Sequence, residues 1–299
     1  MKRIKKNINK ILVATDFSKS SQFAILRAAE IAKKNKATLT ILHITKSGFL
    51  EKIIPIVGKI LVTPEEYAAS LLKEQIRRLY KYKIKIAYLV ESGDHPGPKI
   101  LKHAKDNKID LLVMGAHGKY SIHDWFVGTT AEYIARKTSC PVLIIKKYYH
   151  KPYKKILFPI DFSKASKDTL QFSRTLFPKN HFHILHVGDH EYENFIERKD
   201  SFPKNKIKTL RNAVTFLLYD KVKKFIKNCG GRSRSFSYDI KLGYPSVVIL
   251  EEAKKLNQDL IIMGTAGHSR RHYLFIGRTA SRVLIEVDRD ILLVPPREK

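Results

Sequence analysis

The sequence predicts an α/β protein of two tandem domains, residues 1–150 and 151–299, each a mostly parallel five-stranded sheet with helices on both faces. Three observations carry this expectation. The chain has 299 residues, room for about two domains of ordinary size. It is written twice: Lys10-Ile-Leu-Val-Ala-Thr-Asp-Phe-Ser-Lys-Ser-Ser21 returns as Lys155-Ile-Leu-Phe-Pro-Ile-Asp-Phe-Ser-Lys-Ala-Ser166, with eight of twelve positions identical. Within each half, short apolar runs alternate with stretches of helical period.

In the first half the runs Ile11 to Ala14, Ala37 to Ile44, Ile84 to Val90, Leu111 to Met114 and Val142 to Ile145 read as strands. They are apolar and rich in β-branched residues, as strands covered on both faces are. Ser21 to Lys34 gathers Phe23, Ile25, Leu26, Ala29 and Ile31 on one helical stripe. Thr63-Pro64-Glu65-Glu66 is a helix start, with a capping hydroxyl, proline in the first turn and a glutamate three residues after the cap, ahead of the run Tyr67 to Tyr82. A further helix covers Ala131 to Lys137. The second half repeats the alternation with strands near Ile156–Ile160, His181–Val187, Phe236–Lys241, Leu260–Met263 and Ile291–Val294. Two more matches keep their order: Ile41-Leu-His-Ile44 with Ile184-Leu-His-Val187, and Asp110-Leu-Leu-Val-Met-Gly115 with Asp259-Leu-Ile-Ile-Met-Gly264. Strand–helix–strand alternation implies right-handed crossovers and a parallel, Rossmann-like sheet, which binds ligands beyond the carboxyl ends of its strands. Residues just after strands are therefore the ones to inspect.

Composition excludes several classes. At 43% hydrophobic, with 14 Gly and 12 Pro, the chain is neither disordered nor fibrous. Two cysteines, Cys140 and Cys229, rule out a disulfide framework or a cysteine zinc site by spacing. The basic start Met1-Lys2-Arg3 leads into an apolar run that stops at Asp16, too short for a secretory signal, and no stretch approaches the length of a membrane span. A cytoplasmic protein without membrane partners is expected. The net charge is +29. The first half holds 28 basic against 12 acidic side chains and the second 29 against 16, so the excess is global. Such a field attracts polyanions without specifying one.

The chemistry-bearing pattern follows the fourth strand of each half. Gly115-Ala-His-Gly118 is followed, nine residues on, by Gly128-Thr129-Thr130; Gly264-Thr-Ala-Gly267 is followed at the same spacing by Gly277-Arg278-Thr279. Glycines let backbone approach a ligand closely, and a helix N-terminus offers free N–H groups to phosphate. In this order and in duplicate, the pattern resembles that of the universal stress protein family, whose nucleotide-binding members carry G-x2-G-x9-G-[S/T] after the fourth strand. Supporting matches are Asp16 and Asp161 after the first strand, His43-Ile44 and His186-Val187 at the end of the second, and Gly243-Tyr-Pro245 after the third.

The resemblance implies an adenine nucleotide, ATP or AMP, with Mg2+ accompanying ATP. Asp16 and the Ile44 backbone would lie near adenine or ribose, and Gly115, Gly118, Gly128, Thr129 and Thr130 would hold ribose and phosphates. In the second half Asp161, Val187, Gly264, Gly267, Gly277 and Thr279 match. Arg278 departs from the pattern, and either pairs with phosphate as a charged fork or fills the anion site. The segment Gly93-Asp-His-Pro-Gly-Pro98 is also longer than the family's Gly-x-Pro turn. The resemblance further implies a stress or survival role and pairing of the two halves through Val142–Ile145 and Ile291–Val294, and leaves homodimerisation open.

Two alternatives compete with a nucleotide-responsive module. Weak ATP hydrolysis lacks a G-x4-GK[ST] loop and an evident base. A scaffold or nucleic-acid binder driven by charge has its densest run at Lys221, Lys223, Lys224, Lys227, Arg232 and Arg234, but no recognised nucleic-acid motif, so a solvated face is the simpler reading. His43 and His186 are expected to bond backbone rather than catalyse. His181 and His183 share a strand face that His186 does not, against a three-histidine metal site, and His268 with His272 falls in the phosphate loop instead of a helix. Cys140 reads as buried, and Cys229, before Gly230-Gly231, as more exposed.

Overall fold

A computed structural model describes residues 7–45, 63–118, 127–147, 151–188, 204–230, 235–267 and 276–296, with side chains except over 204–215. The chain divides into two compact units, Met1–Pro152 and Tyr153–Lys299.

The first unit runs β1 (Lys10–Thr15), α1 (Lys19–Asn35), β2 (Thr38–Thr45), α2 (Pro64–Leu79), β3 (Ile86–Ser92), α3 (Pro96–Asp106), β4 (Leu111–Gly115), α4 (Thr129–Lys137) and β5 (Val142–Ile145). Its strands lie in the order β3-β2-β1-β4-β5, and every pairing is parallel. The order reverses between β1 and β4. Connections on either side of that point run to opposite faces, and the crevice they leave at the carboxyl ends is where such sheets take ligands. Strand β5 is buried throughout and β1 is buried from Ile11 to Thr15. Strand β3, at the sheet margin, leaves Leu89 39% exposed.

Local chemistry sets the element ends. Ser18 caps α1 by accepting the Ser21 N–H at 3.1 Å, and Lys36 stops the helix in the left-handed region (φ 55°). Thr63 and Glu66 form the reciprocal capping box expected at α2, at 3.1 and 2.9 Å. Helix α2 tightens into a 3-10 turn at Tyr80–Tyr82. Strand β3 then begins at Ile86, two residues later than its apolar run suggests, because its register with β2 starts at the Leu39–Ile86 pair. The Gly93–Pro98 segment resolves simply: β3 ends at Ser92 and Pro96 opens α3.

The second unit repeats the plan with β6 (Lys155–Ile160), α5 (Lys164–Leu176), β7 (His181–Gly188), α6 (Lys204–Asn228), β8 (Phe236–Leu242), α7 (Pro245–Lys255), β9 (Leu260–Gly264), α8 (Arg278–Glu286) and β10 (Asp290–Val294). The order β8-β7-β6-β9-β10 is again wholly parallel. The Gly243-Tyr244 connection into α7 is one residue shorter than its counterpart into α3, and Gly243 takes a positive φ of 132° that favours glycine. One pair inverts between the units. Glu91 on β3 faces His103 on α3 at 3.3 Å, whereas at the equivalent positions Lys241 on β8 faces Glu252 on α7 at 3.7 Å.

The second core is more aromatic. Phe158 is fully buried, edge-on to Phe182 with ring centroids 6.5 Å apart, and Phe182 stacks on Phe236 at 5.9 Å. Phe158→Ala is expected to destabilise the second unit by about 3–5 kcal/mol. Urea unfolding followed by circular dichroism should show the loss.

Candidate functional site

At the end of β1 the chain turns through Asp16-Phe17-Ser18. Asp16 Oδ1 accepts the Ser18 N–H at 3.0 Å and Thr15 Oγ1 accepts the Phe17 N–H at 3.1 Å. The second unit builds the same turn: Asp161 Oδ1 accepts the Ser163 N–H at 2.9 Å and the Ser166 hydroxyl at 2.5 Å. Both turns force an aromatic residue into the left-handed region, Phe17 at φ 64° and Phe162 at φ 62°. A side-chain-bearing residue there costs on the order of 1–3 kcal/mol and needs support from its surroundings. The support is a histidine from the neighbouring strand. Phe17 packs on His43 with ring centroids 4.4 Å apart, and Phe162 on His186 at 4.3 Å. His43 Nδ1–H donates to Thr15 O at 2.8 Å, and His186 Nδ1–H to Ile160 O at 2.9 Å, the backbone role expected of both histidines. Burial holds the His186 ring below the ordinary imidazole value, against the favourable Ile160 carbonyl.

The glycine loop closes over this turn. A Cβ on Gly115 would stand 2.5 Å from Ser20 Oγ and 2.8 Å from the Ser20 carbonyl carbon, so the start of α1 rests on bare backbone. A Cβ on Gly118 would stand 3.0 Å from Asp16 Oδ2, and one on Gly267 2.6 Å from Asp161 Oδ2. The third glycine completes each loop: Gly128 N–H donates to Ala116 O at 2.7 Å, and Gly277 N–H to Thr265 O at 2.6 Å. The loops are pinned to the last strands through Ala116 N–H to Ile145 O at 2.9 Å and Thr265 N–H to Val294 O at 3.0 Å. Gly128 and Gly277 are the N-caps of α4 and α8 and bring no side chain to the first-turn N–H groups.

The structure thus brings Asp16, Gly115, Gly118 and Gly128 together at the reversal of strand order, and Asp161, Gly264, Gly267 and Gly277 likewise. Thr129 is exposed and Thr130 half-buried on the first turn of α4; Arg278 is exposed and Thr279 half-buried on that of α8. Ile44 and Val187 are next to last in the neighbouring strands, one position beyond the supporting histidines, Ile44 buried and Val187 half-buried. Most of the nine residues between the second and third glycines lie outside the described residues, as do His268, His272, Arg232 and Arg234.

Sequence reasoning passed over two features. One is the Phe–His support, whose only signal was the repeat of Asp-Phe-Ser. The other is a polar cluster at the ends of β2 and β3: Thr45 Oγ1 donates to Glu65 Oε1 at 3.0 Å, Ser92 Oγ donates to the same oxygen, and this hydroxyl holds Glu65 below the usual carboxylate range. The second unit places Gly188 and Leu242 there, with Leu242 Cδ2 2.8 Å from where a Cβ on Gly188 would be.

One expectation is corrected. Cys229 is buried, not exposed, because α6 continues through Asn228 and turns the thiol inward while Arg174 donates to the Cys229 carbonyl at 2.6 Å; burial pushes the thiol up to about 11. Cys140 is half-buried, and burial raises its thiol too. Lys221, Lys223, Lys224 and Lys227 are all exposed, and Lys224 pairs with Asp220 at 2.7 Å, as on a solvated face. Among the described residues no helix is long and apolar enough to cross a membrane.

Two parallel α/β units, each with a glycine loop and a carboxylate at its switch point, define a tandem protein of Rossmann-like class. A profile of the universal stress protein family matches residues 7–146 and 152–295, and the chain belongs to that family. The chain is also similar, over somewhat less than half its length, to proteins of single-unit length. Universal stress protein YxiE of Bacillus subtilis is 29% identical over 148 residues, 46% of this chain and 99% of its own length. Universal stress protein A homolog 1 of Coxiella burnetii is 32% identical over 144 residues, 45% of this chain and 94% of its own. A solved universal stress protein from Archaeoglobus fulgidus covers 96% of this chain and 98% of its own at TM-score 0.66 and 18% identity, a likeness of fold.

At the first glycine of the loop the geometry is less forgiving in the first unit, and at the second glycine in the second unit. Gly115→Ala should cost several kcal/mol by forcing α1 off the loop, whereas Gly264→Ala, whose Cβ would meet Ala266 O at 3.3 Å and Thr169 Oγ1 at 3.4 Å, should cost about 1 kcal/mol. Paired urea titrations of the two variants measure the difference. His183, like His186, is held below the ordinary imidazole value by burial. The unfolded chain therefore binds more protons than the folded one once the pH falls through the unfolded value near 6.5. Stability from these two groups is complete above that value and is lost below it. Unfolding midpoints should drop between about pH 7 and 5, with a shallower drop in His183→Gln/His186→Gln.

Proposed function

We propose that the protein is a nucleotide-responsive stress module that binds an adenine nucleotide, ATP or AMP, at the carboxyl edge of each sheet. The observation that carries this reading is the duplicated cradle, in which a glycine backbone lies over a β1-terminal carboxylate and leads into a helix start without a side-chain cap. Side chains at Gly118 and Gly267 would fill the cradle, so the residues present fit a ligand that needs close backbone approach. Bound nucleotide would lay its phosphates against the first-turn N–H groups of α4 and α8, beside Thr129, Thr130 and Thr279. Asp16 and Asp161, and the backbones of Ile44 and Val187, would meet ribose or adenine.

Among the described residues no three His, Cys, Asp or Glu converge on a metal position, and Mg2+ enters the proposal only as a companion of the ATP phosphates. The exposure of Arg278 supports the charged fork over the steric plug. Binding without turnover is part of the proposal: among the described residues the carboxylates under the loop, Asp16 and Asp161, are engaged by the Ser18 and Ser163 N–H groups. A stress role in the cytoplasm, supported by family membership, belongs to the same proposal.

Isothermal titration of the stripped protein with ATP and AMP tests it. Two sites are expected, the first lost in Gly118→Val and the second in Gly267→Val, with Arg278→Thr weakening the second several-fold. A protein that takes up neither nucleotide at millimolar concentration would overturn the reading.

A further inference from the structure

Helix α6, the crossover between β7 and the outer strand β8, is composed unlike its counterpart α2. Over Lys204–Asn228 the sequence reads eight Lys and Arg against the single acid Asp220, whereas α2 balances Glu65, Glu66 and Glu74 with Lys73, Arg77 and Arg78. The basic excess is therefore not a demand of this position in the fold. One side of α6 is committed to the core: Val222, Phe225 and Ile226 are buried, Phe225 stands edge-on to Phe162 with ring centroids 6.0 Å apart, and Tyr219 edge-on to Tyr238 at 5.7 Å. These contacts fix which side of the helix faces outward.

The outward side joins two characters. Phe216 is 73% and Leu217 63% exposed, two large apolar groups adjacent in the chain, and Lys221, Lys223, Lys224 and Lys227 follow, all exposed. Residues three and four apart are neighbours on a helix surface, so Leu217 leads to Lys221 and Lys224, and Phe216 leads through Asp220 to Lys223 and Lys227. Lys224 holds Asp220 at 2.7 Å, which leaves Lys221, Lys223 and Lys227 in excess along the ridge. From Phe216 to Lys227 it is about 16 Å long, at a rise of about 1.5 Å per residue. Lysines alone suit water or any polyanion; the apolar pair narrows the partner. An anionic bilayer surface offers lipid phosphates to the cations and, directly beneath them, acyl chains to Phe216 and Leu217, whereas a nucleic-acid backbone presents phosphates without an apolar layer below.

We propose that the outward ridge of α6 docks on anionic phospholipid membranes, with Phe216 and Leu217 entering the boundary between head groups and acyl chains and Lys221, Lys223, Lys224 and Lys227 lying over the lipid phosphates. A helix that lies on a bilayer buries only one edge, so no membrane-spanning segment is required. The expectation of a chain without membrane partners rested on spanning length, and a surface contact asks for something else. Neither part of the ridge suffices by itself. A small apolar contact is weak and reversible and a basic patch is screened by salt, whereas the two together hold. The net charge of +29 draws the chain toward such a surface before contact is made.

Co-sedimentation of the full chain, without nucleotide, tests the surface against vesicles of phosphatidylglycerol and phosphatidylcholine in equal parts and against phosphatidylcholine alone. Uptake by the anionic vesicles only is expected, weakening by about tenfold or more between about 50 and 300 mM salt. Phe216→Ser/Leu217→Ser keeps every charge and should lose about tenfold in affinity, and Lys223→Glu/Lys224→Glu/Lys227→Glu should abolish uptake. All five positions are exposed, so both variants should keep the wild-type circular dichroism and urea midpoint. No uptake by anionic vesicles, equal uptake by phosphatidylcholine, or wild-type affinity in either variant would overturn the proposal. Tighter binding to random double-stranded DNA than to the anionic vesicles, lost in the lysine variant and kept in Phe216→Ser/Leu217→Ser, would give the ridge to nucleic acid and overturn it as well.

Discussion

The contact on which each unit depends is backbone against backbone: the glycine loop after the fourth strand lies directly on the turn that leaves the first. Gly115 has no room for a methyl group against Ser20, and Gly118 none to spare against Asp16. Because the loop cannot retreat from α1, the carboxylate, the loop amides and the start of α4 share one small volume. The parallel order β3-β2-β1-β4-β5 makes this contact available by setting β1 and β4 side by side. Strand burial supplies the rigidity. The site is thus a by-product of sheet topology refined by three glycines.

Strain is placed at the same point. An aromatic residue in the left-handed region is unfavourable alone, and here it occurs twice, each time under a histidine tied to the strand carbonyl before the turn. The histidine acts on geometry and not on chemistry, fixing how the Asp-Phe-Ser turn presents its carboxylate. In the second unit burial holds this ring below the ordinary imidazole value, and its Nδ1–H bond to the Ile160 carbonyl is available in either protonation state.

Much of this was legible in the residues. The repeat set the two-unit plan, apolar runs placed the strands within two residues at most ends, and the spacing of Gly115, Gly118 and Gly128 located the loop. Three things were not legible, each for a physical reason. The positive φ of Phe17 is invisible because phenylalanine signals strand, and only the surrounding hydrogen bonds impose the turn. The Thr45–Glu65–Ser92 cluster joins residues from three elements, and distance along the chain hides it. Cys229 was misread because two following glycines suggest a loose loop, whereas the preceding helix decides where the thiol points.

A duplicated chain carries a hazard that single-unit relatives do not, since each crossover helix meets two similar sheets while folding. The inverted pair bears on this. Were α7 to settle on the first sheet, Glu252 would face Glu91, acid against acid. Only the second sheet sets the Lys241 cation opposite Glu252. The exchange of Glu91 for Lys241 at one strand position, which leaves each unit's architecture untouched, therefore favours one of two nearly interchangeable sheets as the seat of α7.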